Sequence, residues 1–133
     1  MGVAVIDASA LVAYYSIDDP RRRAVIRRLS VSGAYFAAAH LDVEVLSGIR
    51  LVARNDARMR AAVPTALRHL DGMPIRRMAI APLLQRTWQL RHNVTPYDAA
   101  YVALAEGLSC PLVTCDAKLA GASGMRCEVE LIG

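Results

Sequence analysis

Val3-Ala4-Val5-Ile6 is four apolar residues in a row, closed by Asp7. A strand with one wet face alternates apolar and polar residues, so a short unbroken apolar run marks a strand buried on both faces, as at the centre of a parallel sheet. Such a strand needs a covering layer on each side, and the rest of the chain must supply it. Similar short runs recur at Ala34-Tyr35-Phe36-Ala37, Met78-Ala79-Ile80 and Pro111-Leu112-Val113-Thr114, the last closing on a second acid, Asp116. Cys127 to Ile132 alternates enough to be a last strand. Helical spacing fills the gaps. Ala10, Leu11, Ala13 and Tyr14 share a face, as do Val25, Ile26 and Leu29 within 21–29, and Leu41, Val45 and Ile49 within 41–52. Further helices are predicted over 56–70, with Pro64 leaving its middle open, over 83–92, over 95–106, and as a brief turn over 117–120. Strands alternating with helices along the whole chain predict an α/β fold. Its form is a three-layer sandwich, with a five-stranded, mostly parallel sheet flanked by helices and residues 1–133 as a single domain.

Length and composition agree with that architecture. Of the 133 residues, 55% are hydrophobic and 21% charged, enough apolar material for a core and too much for a disordered chain. Aromatics are only 5%, so Ala, Val, Leu and Ile must fill the core, and a wall of stacking aromatics for nucleic-acid bases is not expected. No apolar run approaches the roughly 20 residues that cross a bilayer, and no basic segment and cleavage site mark an export signal. A cytoplasmic protein with no membrane contact is expected. Cys110, Cys115 and Cys127 cannot all pair and form no C-x-x-C, so they read as reduced, mostly buried thiols.

Four acids stand in apolar settings: Asp7 and Asp116 after buried strands, Glu44 within an apolar helix, and Asp98 at a helix start. In parallel sheets the functional crevice lies at the carboxyl ends of the strands, which is where Asp7 and Asp116 fall. Each Asp has an ordinary structural reading as a helix cap. Asp98 in particular follows Thr95 at the spacing of a capping box, with Pro96 at the first helical position. Glu44, read as mid-helix, has no such role. Buried anions are costly unless paired, and no Lys or Arg is interleaved with these four at matching helical spacing. A bound cation would resolve this. An all-oxygen carboxylate set suits Mg²⁺ or Mn²⁺ better than zinc, and such ions serve phosphoryl chemistry by activating water and stabilising a leaving oxygen. The histidines, His40, His69 and His92, show no ligand spacing and read as surface or cap residues.

The segments Val5-Ile6-Asp7-Ala8-Ser9-Ala10-Leu11, Glu44-Val45-Leu46, Thr95-Pro96-Tyr97-Asp98-Ala99-Ala100-Tyr101 onward to Glu106, and Leu112-Val113-Thr114-Cys115-Asp116 together resemble the PIN domain. Within it they are most similar to the VapC toxins of bacterial toxin-antitoxin pairs, in the right order over essentially the whole chain. The resemblance implies a Mg²⁺- or Mn²⁺-dependent endoribonuclease that inhibits translation and growth and is kept silent by a VapB-type antitoxin. It also implies a homodimer and an RNA substrate, whether tRNA, rRNA or mRNA. By the same resemblance Asp7, Glu44, Asp98 and Asp116 are the metal-holding catalytic quartet, and Ser9 and Thr114 its supporting hydroxyls. The chain departs from the family at His40, where Pro is common, and at Pro96, where a small residue is usual.

Charge supports a polyanionic partner independently. Setting the quartet aside leaves eight acidic residues against 16 basic ones, of which 15 are Arg. The cluster Arg21-Arg22-Arg23 with Arg27-Arg28 reads either as an RNA grip or as a solvated face, and Leu11, Leu46 and Ile49 are candidates for an apolar antitoxin groove. Asp7-Ala8-Ser9 lacks the D-x-D of haloacid-dehalogenase phosphatases, and Ile6-Asp7 lacks the acidic pair of a receiver domain. The remaining alternative is a catalytically idle PIN-like module that binds RNA or protein.

Overall fold

The computed structural model describes residues 2–133; Met1, the first residue of the expected domain, lies outside the described residues. Strands Gly2–Ile6 (β1), Gly33–Ala38 (β2), Ile75–Met78 (β3), Leu112–Thr114 (β4) and Val129–Leu131 (β5) form one sheet in the order β3-β2-β1-β4-β5. Every neighbouring pair is parallel, so the sheet is wholly rather than mostly so. The helices are Ala8–Tyr15 (α1), Arg22–Leu29 (α2), Leu41–Ala53 (α3), Ala57–Gly72 (α4), Leu84–Gln89 (α5), Pro96–Leu108 (α6) and Ala117–Ala120 (α7).

The chain lays β1, β2 and β3 outward in one direction, then returns past β1 to add β4 and β5. Right-handed crossovers change the covered face when the direction reverses, which places α1 to α4 over one face and α5 and α6 over the other. The packing agrees: α1 meets α2 and α3, and α3 meets α4, while α6 meets α5 and lies on β1, β2 and β4. The reversal makes the gap between β1 and β4 the topological switch point of the sheet. Burial concentrates there: Ala4, Val5 and Ile6 of β1, Ala37 and Ala38 of β2 and all of β4 are buried. Seven consecutive residues of α6, Ala99 to Ala105, are buried as well, making it an all-round core helix. Gly48 keeps α3 close to α1, because a Cβ there would run into the Val12 side chain.

Several elements differ from the sequence-based expectation, each for a local reason. The third strand is Ile75–Met78, ahead of the predicted 78–80. As an edge strand it does not need two apolar faces, and Arg77 is absorbed by the Asp42 carboxylate at 2.8 Å and the carbonyls of Leu70, Met73 and Ile75. Ala79 and Ile80 lead instead into a 3₁₀ turn at Ala81–Leu83. The helix predicted over 83–92 ends at Gln89, where the Asn93 and Val94 N–H groups both turn back to the Leu90 carbonyl. Conversely α4 runs unbroken through Pro64, whose exposed position lets the unmatched carbonyl one turn earlier meet water. The last strand is only Val129–Leu131. Among the described residues no helix is long and apolar enough to cross a membrane.

Helix α6 stops at Ser109, which adopts the left-handed conformation with φ 53°. A residue with a Cβ is strained there and glycine is not. Ser109→Gly is therefore expected to stabilise the fold by roughly 0.5–1 kcal/mol, read as a higher midpoint in urea with an unchanged slope.

Candidate active site

The site is built from the strand ends at the switch point. Pairing of Ile6 with Val113 sets Asp7 beside Thr114, and the Asp7 N–H continues the ladder to the Val113 carbonyl at 3.2 Å. The Asp7 carboxylate is only 2% exposed. Its Oδ1 accepts from the Ser9 hydroxyl at 2.7 Å and the Ala10 N–H at 3.1 Å, and its Oδ2 accepts from the Thr114 hydroxyl at 2.5 Å. Ser9 and Thr114 each spend their one proton on Asp7 and then accept in turn, Ser9 from the Cys115 N–H and Thr114 from the Asp116 N–H. The two hydroxyls, 3.1 Å apart, thus sew β1 and α1 to the end of β4. Burial pushes the Asp7 carboxyl up to about 6; the bonds from Thr114, Ser9 and Ala10 act against that rise, and the nearby Asp98 charge adds to it.

Asp116 caps α7, its Oδ1 accepting the N–H groups of Lys118 and Leu119, which leaves Oδ2 uncommitted. The loop before it is held by Arg21, whose Nη1 donates to the Cys115 carbonyl while Nε and Nη2 hold Asp19. At Asp98 the capping group is the Thr95 hydroxyl, which accepts the Asp98 N–H at 3.3 Å. The Asp98 carboxyl is pushed up by burial, then by the charges of Asp116 and Glu44. Glu44 lies in the first turn of α3 rather than mid-helix, so a structural contribution there, favourable to the helix dipole, is open to it after all. Its Oε1 accepts from the Tyr101 hydroxyl at 2.8 Å and lies 3.2 Å from His40 Nε2.

The cap reading holds for Asp7 and Asp116, which also face the same edge of the sheet, while among the described residues the side chain of Asp98 makes no cap bond. The structure brings Asp7, Ser9, Thr114 and Asp116 into one hydrogen-bonded network, and places Asp98 close enough to Asp7, Asp116 and Glu44 for their charges to act on it. Among the described residues none of Asp7, Asp98 and Asp116 is ion-paired to Lys or Arg, and Glu44 pairs only with His40. Mutually repelling carboxylates without basic partners are the donor chemistry of a hard divalent cation. Among the described residues no three carboxylate, imidazole or thiol groups are arranged to enclose one ion. Glu44 is held instead by Tyr101 and His40.

Those two residues carried no strong mark in the sequence. His40 stands one helical turn before Glu44 and Tyr101 one turn after Asp98, but the spacing alone does not join them across two helices. His40 stands at the N-cap position of α3 and His69 is exposed, as expected of surface or cap residues, and each is also engaged, His40 against the rings of Tyr97 and Tyr101 and His69 with the Tyr15 hydroxyl at 2.8 Å. Leu11 and Ile49 are fully buried in the core and cannot line a groove; only Leu46 of that trio is exposed. In the arginine cluster, Arg21 is tied to Asp19 and Cys115, Arg22 to the Tyr14 carbonyl and Arg28 to Glu130, leaving Arg23 and Arg27 on the exposed face.

A family model described as the PIN domain matches residues 4–124. Ribonuclease VapC12 of Mycobacterium tuberculosis is 43% identical over 129 residues, covering 96% of this chain and 98% of that protein. Ribonuclease VapC1 of the same organism is 38% identical over 134 residues, with 99% of each chain covered. Among solved structures, that of Mycobacterium tuberculosis VapC20, described as a Sarcin-Ricin loop cleaving toxin, superposes with a TM-score of 0.67 at 21% identity, over 92% of this chain and 95% of that one. A protein of Pyrobaculum aerophilum superposes with a TM-score of 0.68, also at 21% identity, over 96% of this chain and 83% of that one. These two show the fold.

The raised Asp7 pKa makes the site a stability cost with a defined pH window. Below the ordinary carboxylate value near 3.8, folded and unfolded chains are both protonated at Asp7 and it has no effect; as pH rises through about 6 the unfolded chain has already ionised and the folded one must follow against desolvation. Asp7→Asn is thus expected to stabilise the metal-free protein by roughly 2–3 kcal/mol at pH 7.5 and to have no comparable effect at pH 3.5. Urea titrations in EDTA at the two pH values measure it, and an equal effect at both would contradict the assignment.

Proposed function

The chain belongs to the PIN-domain family, alongside the VapC ribonucleases, and we propose that it is the toxin ribonuclease of a toxin-antitoxin pair, hydrolysing RNA phosphodiesters at the Asp7, Glu44, Asp98 and Asp116 carboxylates. The observation that carries the reading is the gathering, from four separate stretches of chain, of carboxylates without Lys or Arg partners at the switch point of the sheet. We infer further that residues 1–133 act as one cytoplasmic domain, working as a homodimer.

Mg²⁺ or Mn²⁺ would supply Lewis-acid polarisation of the scissile phosphate, with Asp7, Glu44, Asp98 and Asp116 as the oxygen ligands that would have to draw together around it. The chain's own part is positional. Thr114 and Ser9 fix the Asp7 carboxylate, the α7 amides hold one oxygen of Asp116 and leave the other free, and Tyr101 orients Glu44. Asp98, half-buried and unpaired, faces the same space. In the proposed reaction water attacks phosphorus in line, the P–O3′ bond breaks, and the 3′ oxygen takes a proton, giving a 5′-phosphate and a 3′-hydroxyl. No side chain becomes covalently attached.

An antitoxin has a surface to meet. The groove between α3 and α4, about 570 Å³, is lined by Leu46, Ala53 and Val63 and rimmed by Arg50, Arg54 and Arg60. Leu46 is 42% exposed, and Val43, one turn before it, is more exposed still. An apolar segment with acidic flanks, from a VapB-type partner, fits that combination of floor and rim.

Two outcomes are expected. Asp98→Asn should lower cleavage of total cellular RNA by more than about 100-fold, EDTA should abolish it, and Thr114→Val should cost about 10–100-fold by freeing Asp7. Activity that survives EDTA, or ends bearing a 2′,3′-cyclic phosphate, would exclude metal-assisted hydrolysis, and a folded but inactive protein would favour an idle binding module. Leu46→Asp should leave cleavage intact while weakening inhibition by the co-expressed antitoxin at least about tenfold, measured by titrating that antitoxin into the cleavage assay.

A further inference from the structure

One side of the site is not acidic. A cleft of about 360 Å³ sets Asp98 and Asp116 against Arg91, His92, Asn93 and Lys118, from the turn between α5 and α6 and from α7. All four of the latter are exposed, and among the described residues none of the three basic side chains is ion-paired to either acid. Basic side chains lining a cleft beside carboxylates they do not neutralise are available to a ligand that is itself anionic.

The same corner holds the only tryptophan in the chain, Trp88, and it is 64% exposed. A singly exposed aromatic is ordinary by itself; what marks Trp88 is the cation held against its face. The ring is not loose. The Arg91 guanidinium lies over it, 4.0 Å from its centroid, and Arg91 Nη1 donates to the Trp88 carbonyl at 3.0 Å. Arg91 thus belongs to two things at once, the aromatic surface and the wall of the cleft that reaches Asp98 and Asp116. Aromatic faces stack unpaired bases, and Arg and Lys beside them take the adjoining phosphates.

We propose that Trp88, Arg91 and Lys118 form a subsite for single-stranded RNA, in which Trp88 stacks a base flanking the scissile bond and Arg91 and Lys118 bind the phosphates on either side of it. The proposal rests on the ribonuclease reading above and deepens it, because a base can stack there only when it is free of a partner strand.

The uniqueness of Trp88 makes the test direct, since all tryptophan emission reports on this one ring. The purified protein, freed of any partner and kept in EDTA so that nothing is cut, is titrated with a fluorescein-labelled single-stranded oligoribonucleotide of about ten nucleotides and with its duplex form. Anisotropy of the label reads binding, and tryptophan emission reads the stack. The expected result is emission quenched in step with binding of the single strand, and weaker binding of the duplex. Trp88→Ala should weaken single-strand binding roughly tenfold, while Trp88→Phe, which keeps a stacking face and tests for misfolding, should stay near the parent. Arg91→Gln and Lys118→Ala should each flatten the plot of log affinity against log salt by about 0.7. Binding by anisotropy with unchanged tryptophan emission, or with full affinity in Trp88→Ala, would overturn the subsite and leave the ribonuclease reading standing. Absence of both binding and metal-dependent cleavage would overturn the two together.

Discussion

A single buried carboxylate organises this molecule. Asp7 sits where β1 ends, nearly closed to solvent, and its carboxylate joins two parts of the fold: Ala10 and Ser9 in α1, and Thr114 at the end of β4. The strands it joins are the two that flank the reversal in chain direction. Desolvating an anion there works against folding, and three donors offset part of the cost. The arrangement persists because removing those donors would leave the same charge buried with nothing to stabilise it. Thr114 and Ser9 are thus as much part of the sheet's construction as of its chemistry, and they pass the constraint on through the N–H groups of Cys115 and Asp116.

The electrostatic frame around that point is one of opposites kept apart. Helices α1, α3 and α6 begin near the same edge, and their first turns carry or adjoin the acids, a placement their dipoles favour. The arginines that dominate the composition are largely occupied elsewhere. Arg77 anchors the edge strand to α3, Arg28 ties α2 to β5 through Glu130, and Arg86 holds Glu106 and the Gly124 carbonyl. Those arginines are taken up by Asp42, Glu130 and Glu106, and among the described residues none of them reaches Asp7, Asp98 or Asp116. What basic charge approaches the site comes from the α5–α6 turn and Lys118, lining the cleft without closing on it.

Much of this was legible in the chain. Strands β1, β2 and β4 announce themselves as apolar runs, and where they are covered on both sides, along Ala4–Ile6, at Ala37 and Ala38 and throughout β4, the surroundings leave few alternatives. The acids at their ends stood out against that background. Edge elements are less legible, because an edge strand tolerates polar side chains and loses the signal: β3 carries two arginines and starts three residues ahead of the apolar run at Met78-Ala79-Ile80. The helix after it is shorter than its periodicity suggests, since its end depends on how residues 90–94 fold back. Leu11 and Ile49, which lie on apolar helix stripes and stand on sequence alone as groove candidates beside Leu46, are core, because both helices bearing them bury the face on which they lie.

Residue types and their order determined the sheet, the acids and the caps, since each of these is set by a few neighbours along the chain: an apolar run, a turn, a hydroxyl one helical turn before an acid. Tertiary structure alone decided that Tyr101 and His40 hold Glu44, that Arg91 lies on Trp88, and that one wall of the site is basic. Each of those contacts joins side chains whose orientations depend on how whole helices pack. Spacing along one strand or helix carries no information about such a meeting, because the free energy that fixes it is spent in the core between them.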